Sequence, residues 1–339
     1  MKKDVTIKEV AQRAGVSIAT VSRAMNDSGP VSSEARQAIL KVVSSSGFRL
    51  NGIGRQLKTA RSHTIGVLVP SLKNPIFADA VTGIEHAAEQ SGYRVLLASS
   101  RYDTNKEVSA VETFLINRVD GLILTVADEK NSQALQLLGT TKSPFVLMFN
   151  PCNQTGYSSV SIDNRLAAFE LVSALINRGH RRIAMIVGKL SDSDRSVERS
   201  AGYEEALRKN GIKPVGVIEV GFENPDPGTQ IAELNRGLRS PTAYFCSTDM
   251  LAISTIRALV QSGKKIPDDV SVVGFDGITI GECLIPSLAT AVQPAEEMGV
   301  WAARHLVARI DKGESVSNLV LPYRIRQGES WGRLTANHL

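Results

Sequence analysis

Residues 5–26 read VTIKEVAQRAGVSIATVSRAMN, and their spacing decides the architecture of the amino-terminal end. Thr6 and Glu9 stand in capping-box register, each able to satisfy an orphan backbone N–H of a helix that starts at Ile7. Ile7, Val10, Ala11 and Ala14 then recur at helical spacing, Gly15 supplies a left-handed stop, and Ser17 caps a second helix about three residues on. On that second helix Val21, Ala24 and Met25 share one face, whereas Ile18, Ala19, Ser22, Arg23 and Asn26 share the other. A third helix, from Ser32 or Ser33, offers Ala35, Ile39, Val42 and Val43 to the same core. Three short helices with a tight turn between the first two predict a helix-turn-helix.

The second face of helix two mixes a long cation, an amide, a hydroxyl and two short apolar groups. It is neither a core stripe nor an ordinary solvated surface. In a helix-turn-helix that face enters the major groove, where Arg bonds guanine O6 and N7 and short apolar groups meet the thymine methyl. Charge points the same way: residues 1–61 carry eleven Lys and Arg against four Asp and Glu, although the whole chain is only +5. A basic head on a near-neutral body suits a polyanionic partner.

With 339 residues and 42% hydrophobic composition the chain can bury a sizeable core in two or three domains. No run of apolar residues is long enough to span a bilayer, and MKKDVTIKEV has no apolar signal segment behind its lysines, so a cytosolic protein with no membrane partner is expected. Cys152, Cys246 and Cys283 are odd in number and widely spaced, which indicates reduced thiols and neither a disulfide framework nor a zinc site. Catalytic signatures are missing: there is no G-x-S-x-G, no G-x-x-x-x-G-K-[ST] and no H-E-x-x-H, and SGKKIPDD (262–269) is no phosphate cradle. A binding protein without cofactor or metal is expected, not an enzyme.

From residue 64 the pattern changes to strand–helix alternation. TIGVLVP, YRVLLAS, DGLILT and PFVLMF are apolar β runs separated by helical segments, and RIAMIVG, VGVIEVG, TAYFCS and VSVVGFD form a second set. Two parallel-sheet α/β subdomains follow, with loops at the strand carboxyl ends facing one cleft.

The chain resembles the lactose/galactose-repressor (LacI/GalR) family of bacterial transcriptional regulators. Beyond residues 5–26 the similarity runs through VSSEARQAILKVVSSSGFRLN, IGVLVPSLKNPIFA, DGLIL, GHRRIA, AGYEEAL and IPDDVSVVGFD. It implies a helix-turn-helix head over 1–50, a hinge over 51–62 and a periplasmic-binding-protein-like body over 63–339. The body would divide into subdomains 63–162 with 292–322 and 163–291 with 323–339, linked by crossovers near 161–164, 290–293 and 321–324. The resemblance puts Ile18, Ala19 and Arg23 at base-reading positions, with Thr6, Ser17, Thr20, Ser22, Asn26 and Ser32 at phosphates or base edges. It makes 51–62 a hinge helix that folds on DNA, beginning at Asn51, with Leu57 as the wedge entering the minor groove at the operator centre. Gly54 departs from the alanine common there and adds about 1 kcal/mol to the cost of folding each hinge.

For the cleft, strand-end position and family motifs together nominate Asn74, Phe77, Asp103, Thr125, Asn150 and Asp163 from one side. Arg199, Phe222, Asp249, Asp276 and Gln293 come from the other. Arg199 and Asp276 pair a fork of donors with a carboxylate, a combination that grips adjacent hydroxyls. Arg101, Lys189 and Arg195 add positive charge near the same loops, favouring a sugar acid or sugar phosphate over a neutral sugar. The expected protein is a homodimeric regulator, a repressor of carbohydrate genes that binds double-stranded operator DNA and answers to a sugar-like effector. QGESWGRLTANHL (327–339) shows no apolar heptads, which favours a dimer over a tetramer. Two alternatives are a global regulator corepressed by a phosphoprotein and, in a different class, a sugar-binding receptor; the latter would carry a signal peptide and no DNA-reading head.

The wedge gives the first prediction. Paired Leu57 side chains would unstack a pyrimidine–purine step, the cheapest kind to deform, so the operator should be a palindrome with CG at its centre. Leu57→Ala should weaken operator binding roughly tenfold or more and abolish bending in a fluorescence-transfer assay, with effector binding retained.

Overall fold

The computed structural model describes residues 5–26, 29–48, 61–151, 156–236 and 240–334, with Asn26 described in its backbone only. Asn51, Gly54, Leu57 and Cys152 lie outside the described residues. The chain divides into two units, Met1–Ser62 and His63–Leu339.

The smaller unit is built on α1 (Ile7–Ala14), α2 (Ile18–Asn26) and α3 (Ser33–Ser46). The capping box forms in both directions: the Glu9 N–H donates to Thr6 Oγ1 and the Thr6 N–H donates to Glu9 Oε2. Gly15 ends α1 at φ 66°, where a side chain would be strained. Ser17 Oγ then accepts the Thr20 N–H at 3.1 Å and opens α2, while Ser32 caps α3 through the Ala35 N–H. Val10, Ala11, Val21, Ala24, Ile39 and Phe48 form the core, with Met25, Val42 and Val43 packed partly against it. Arg36 ties α3 to α2 by donating to the Ala24 carbonyl at 3.2 Å.

The larger unit holds two six-stranded sheets. The first contains β1 (Thr64–Val69), β2 (Arg94–Ser99), β3 (Gly121–Leu124), β4 (Phe145–Met148), β5 (Ser158–Ser161) and β11 (Asn318–Val320), ordered β11-β5-β4-β3-β1-β2 and wholly parallel. The second contains β6 (Ile183–Gly188), β7 (Gly216–Val220), β8 (Ala243–Cys246), β9 (Ser271–Asp276), β10 (Ala289–Val292) and β12 (Arg324–Arg326), ordered β12-β10-β9-β8-β6-β7. These strands pair in parallel except β12, which runs antiparallel to β10. The exception to an all-parallel body has a topological cause. Residues 321–323 cross from the end of β11, on the cleft side, so β12 must start where β10 finishes and run the other way.

Helices α4 (Pro75–Gln90), α5 (Thr104–Ile116), α6 (Gln133–Thr141) and α11 (Ala295–Lys312) cover the first sheet. Around the second lie α7 (Asn164–Asn177), α8 (Asp194–Lys209), α9 (Gly228–Arg236) and α10 (Asp249–Gln261). The chain passes between sheets at 162–163, at 293–294 and at 321–323. In the first subdomain α4 and α11 approach backbone to backbone: a Cβ at Gly83 would strike the Glu296 carbonyl, and one at Gly299 the Ala80 carbonyl. Gly202 repeats the device in the second subdomain, where α8 touches the Arg165 carbonyl of α7.

Because backbone cannot give way as a flexible side chain can, overpacking here is expensive. Gly299→Val should lower the unfolding free energy by about 2–3 kcal/mol in urea titrations, whereas Gly92→Ala, in open space, should lose less despite its positive φ.

Candidate functional site

Two sites are built on these units, a helix face in the head and a cleft in the body. On α2, Ile18, Ala19 and Arg23 are exposed, Ile18 to 47%, while Val21 and Ala24 are buried. Ile18 therefore stays open on a helix whose opposite face sends Val21 and Ala24 into the core. Ser22 and Thr20 lie at the edge of the exposed face, half-buried, with Thr20 Oγ1 hydrogen-bonded to Ser17 Oγ at 2.8 Å. Thr6 and Ser32 are exposed at the first turns of α1 and α3, where free N–H groups favour phosphate oxygens.

In the body, helix caps assemble the cleft. Asn74 precedes Pro75, which pre-sets the first turn of α4, and Asn74 Oδ1 accepts the Ile76 N–H at 3.3 Å. That bond leaves Asn74 Nδ2 free to donate across the cleft to Asp276 Oδ2 at 3.0 Å. Asp276 closes β9 at φ 122°, a conformation rarely adopted outside glycine, with Gly277 following at φ 84°. Backbone strain of this kind costs of order 1–3 kcal/mol and persists where surroundings enforce it. Here they do: Arg199 Nη1 and Gln293 Nε2 donate to Asp276 Oδ1 at 3.2 and 2.9 Å. Arg199 also donates to the Ser247 carbonyl and to Asn164 Oδ1, and its guanidinium lies 3.8 Å from the Phe275 ring centroid. Burial pushes the Asp276 carboxyl up and the Arg199 guanidinium down, and their mutual attraction opposes both shifts.

Aromatic rings join the same seam. Tyr102, beyond β2, stacks on Phe222, beyond β7, with centroids 4.1 Å apart and planes 11° from parallel. Gly188 is what lets Phe222 lie there, since a Cβ would occupy the space of its ring. Lys73 reaches Glu223 across the cleft at 3.5 Å. Nearby, the Asp194 N–H donates to the Ala127 carbonyl, Asn150 Nδ2 donates to Asp194 Oδ2, and Arg195 Nη1 donates to the Val126 carbonyl at 2.8 Å. These contacts enclose a cavity of about 20 Å³ bordered by Asn74, Phe77, Tyr102, Arg195, Arg199, Phe222, Asp276 and Gln293. One water-sized guest fits such a space; a sugar needs the halves to part.

Asn74, Phe77, Arg199, Phe222, Asp276 and Gln293 thus converge from the sequence-derived set. The other five sit elsewhere for identifiable reasons. Asp103 and Asp163 cap α5 and α7 through the N–H groups of Asn105 and Leu166. Thr125 donates to the Met148 carbonyl, Asn150 holds both backbone groups of Val126, and Asp249 accepts the N–H groups of Gly277 and Ile278 with the Thr290 hydroxyl. None of these five borders the cavity; Asn150 and Asp249 support the loops that do. Arg101 and Lys189 are exposed. The site set drawn from sequence omitted Tyr102, Ser193, Ser196 and Thr248, which border the cavity, and counted Arg195, which borders it too, only as a loop cation. A usable signal existed for Arg195, which stands one helical turn before Arg199 and so shares its face. A larger open groove of about 870 Å³ runs along α11, lined by Trp301, Arg304 and His305, without comparable convergence of buried polar groups. Among the described residues no cluster of His, Cys, Asp and Glu could hold a metal, and no helix is long and apolar enough to cross a membrane. Cys246 is buried and Cys283 exposed, both unpaired.

Beside the seam, Glu107 is buried and accepts the Ala127 N–H at 2.8 Å. Burial pushes its carboxyl up to about 7, with that hydrogen bond and Arg195 opposing; burial does the same to Asp249, also to about 7. Since both folded-state values lie above the ordinary 4.5 and 3.8, their contribution to stability is full in acid and is lost as pH rises through about 7. Glu107→Gln, which keeps the acceptor, should therefore flatten the decline in stability between about pH 4.5 and 7, a slope worth at most about 1.4 kcal/mol per pH unit per group. Denaturant titrations across that range measure it.

Comparison with known proteins assigns both units to one family. Residues 6–51 match the family described as bacterial regulatory proteins, lacI family, and residues 62–327 match periplasmic binding proteins and sugar binding domain of LacI family. Catabolite control protein A of Priestia megaterium is 32% identical over 331 residues, 96% of this chain and 99% of that one. The HTH-type transcriptional regulator GntR of Escherichia coli K12 is 33% identical over 321 residues, 94% and 96% of the two chains. The crystal structure of the lac repressor dimer bound to operator and the anti-inducer ONPF superposes with a TM-score of 0.83 at 28% identity, covering 97% of this chain and all of that one. Two family models matched in order along residues 6–327, with relatives over 30% identical along nearly the whole chain, show that the chain belongs to the LacI family of bacterial transcriptional regulators.

Proposed function

We propose that the protein is a repressor of carbohydrate-metabolism genes that binds a palindromic operator as a homodimer and changes its grip when a sugar-like effector enters the cleft. It acts in the cytoplasm, on the nucleoid when bound to DNA. The observation that carries this reading is the convergence of Asn74, Arg199 and Gln293 on the buried Asp276 carboxylate between the two sheets. A ligand whose hydroxyls replace the Asn74–Asp276 bond gains contacts in one arrangement of the halves and not in the other, which is what an allosteric effector requires. On the head, Ile18, Ala19 and Arg23 read bases, while Thr6, Ser17, Thr20, Ser22, Asn26 and Ser32 position the helix on phosphates and base edges. Two-fold symmetry follows because each head reads only a few base pairs. Asn51 and Leu57 complete the DNA contact at the operator centre.

The two sites are separable by mutation. Arg23→Ala should lower discrimination between operator and unrelated DNA by about 1–3 kcal/mol in competition gel shifts. Arg199→Ala should leave operator binding in place and abolish its response to effector. Loss of operator binding in Arg199→Ala at unchanged folding would contradict the assignment.

A further inference from the structure

Arg195 is 5% exposed and borders the cleft cavity, yet its two terminal nitrogens are treated unequally. Nη1 donates to the Val126 carbonyl at 2.8 Å and to Asp194 Oδ1 at 3.0 Å. Nη2 is buried without any hydrogen-bond partner. A guanidinium donor buried without a protein partner is costly, and it calls for an acceptor from outside the chain, a water in the closed cavity or a ligand group that displaces it. The carboxylates nearby do not provide it. Asp276 already receives Asn74, Gln293 and Arg199, and Asp194 receives Asn150, the Glu129 N–H and Arg195 Nη1. The first turns of α4, α8 and α10 also open on this cavity through their caps Asn74, Ser193 and Thr248, and helix N-termini favour negative charge.

Resting on the reading of the cleft as the effector site, we propose that the effector is a sugar acid whose carboxylate binds Arg195 Nη2 at the amino-terminal end of α8. Its hydroxyls meet Asp276, Asn74 and Gln293, and its carbon skeleton lies against Phe77 and Phe222. A carboxylate fits better than a phosphate on two grounds. One unpartnered donor nitrogen suits a monoanion, whereas a phosphate brings three strong acceptor oxygens and nearly twice the charge. The fixed charges of Arg195 and Arg199 are already paired with Asp194 and Asp276, so a dianion would leave about twice as much uncompensated charge in the site as a carboxylate does. The gain over a neutral sugar comes from the charge-assisted bond, about twice as strong as its neutral counterpart.

Calorimetry on the purified full chain tests this, with D-gluconate, D-galactonate, D-glucuronate and D-galacturonate set against D-glucose, D-galactose and D-glucose 6-phosphate. At least one acid should bind about tenfold or more tightly than its neutral parent, a preference that Arg195→Gln removes and Arg195→Lys partly restores. Equal or tighter binding of a neutral sugar, tighter binding of the phosphate, or an acid preference that survives Arg195→Gln overturns the carboxylate assignment. The comparison of acids with neutral sugars on the unmutated chain decides the matter even where a variant fails to fold. A neutral sugar that binds and alters operator affinity would overturn the assignment and leave the effector reading standing. A compound that binds and alters operator affinity equally in Asp276→Asn would instead sink the effector reading. Failure of every compound to bind counts against the assignment.

Discussion

The buried pair of Arg199 and Asp276 is the interaction around which the body is arranged. Their side chains are 5% and 3% exposed, and removing two charges from water is offset only if every polar atom finds a partner. The partners come from distinct parts of the chain: Asn164 beyond the first crossover, Ser247 at the end of β8, Gln293 at the second crossover and Asn74 from the opposite subdomain. The strained φ of Asp276 belongs to the same arrangement, because Asp249 holds the following two N–H groups and so fixes the turn that aims the carboxylate. A network satisfied this completely is rigid as a unit, and partial satisfaction would be worse than none.

That rigidity makes the Asn74 contact informative. It is the member of the Asp276 set contributed by the first subdomain, and it is a single neutral-to-charged hydrogen bond that a ligand hydroxyl can replace at little cost. The remaining links across the seam differ in kind: a stacked ring pair, a half-exposed ion pair and the backbone-anchored bonds of Asp194 and Arg195. A seam of several modest interactions can open and close without unfolding either sheet, whereas the helix contacts at Gly83 with Gly299 and at Gly202 cannot slide, because backbone meets backbone. Under the proposed function the coupling between cleft and operator is reciprocal, and DNA binding would bias the seam as strongly as the effector.

The head and the cleft were legible in the sequence to different degrees. Thr6 with Glu9, Gly15, Ser17 and Ser32 mark their helices correctly because capping acts within three or four residues, and helical periodicity sorted Val21 and Ala24 from Ile18 and Arg23 by the same local logic. The eight apolar runs became strands β1 to β4 and β6 to β9. Missing from that reading were β5, written SSVS, the four-residue β10, and the three-residue β11 and β12, which are too polar or too short to announce themselves and are made strands by the neighbours they pair with.

In the cleft, strand-end position identified a neighbourhood without identifying direction. Thr125, Asn150 and Asp249 occupy strand ends as Asp276 does, yet their side chains turn into the layer and hold backbone groups. Tyr102 and Arg195 gained their places from contacts with Phe222 and Val126 that lie far away along the chain. Asn74 and Asp276 are 202 positions apart, and no local pattern relates them. Caps, periodicity and charge are short-range properties carried by neighbouring residues, so the three helices of the head and the exposed face of α2 followed from composition and order. Which side chains share one carboxylate depends on how two sheets approach through three crossovers, and that is settled only when the whole body has packed.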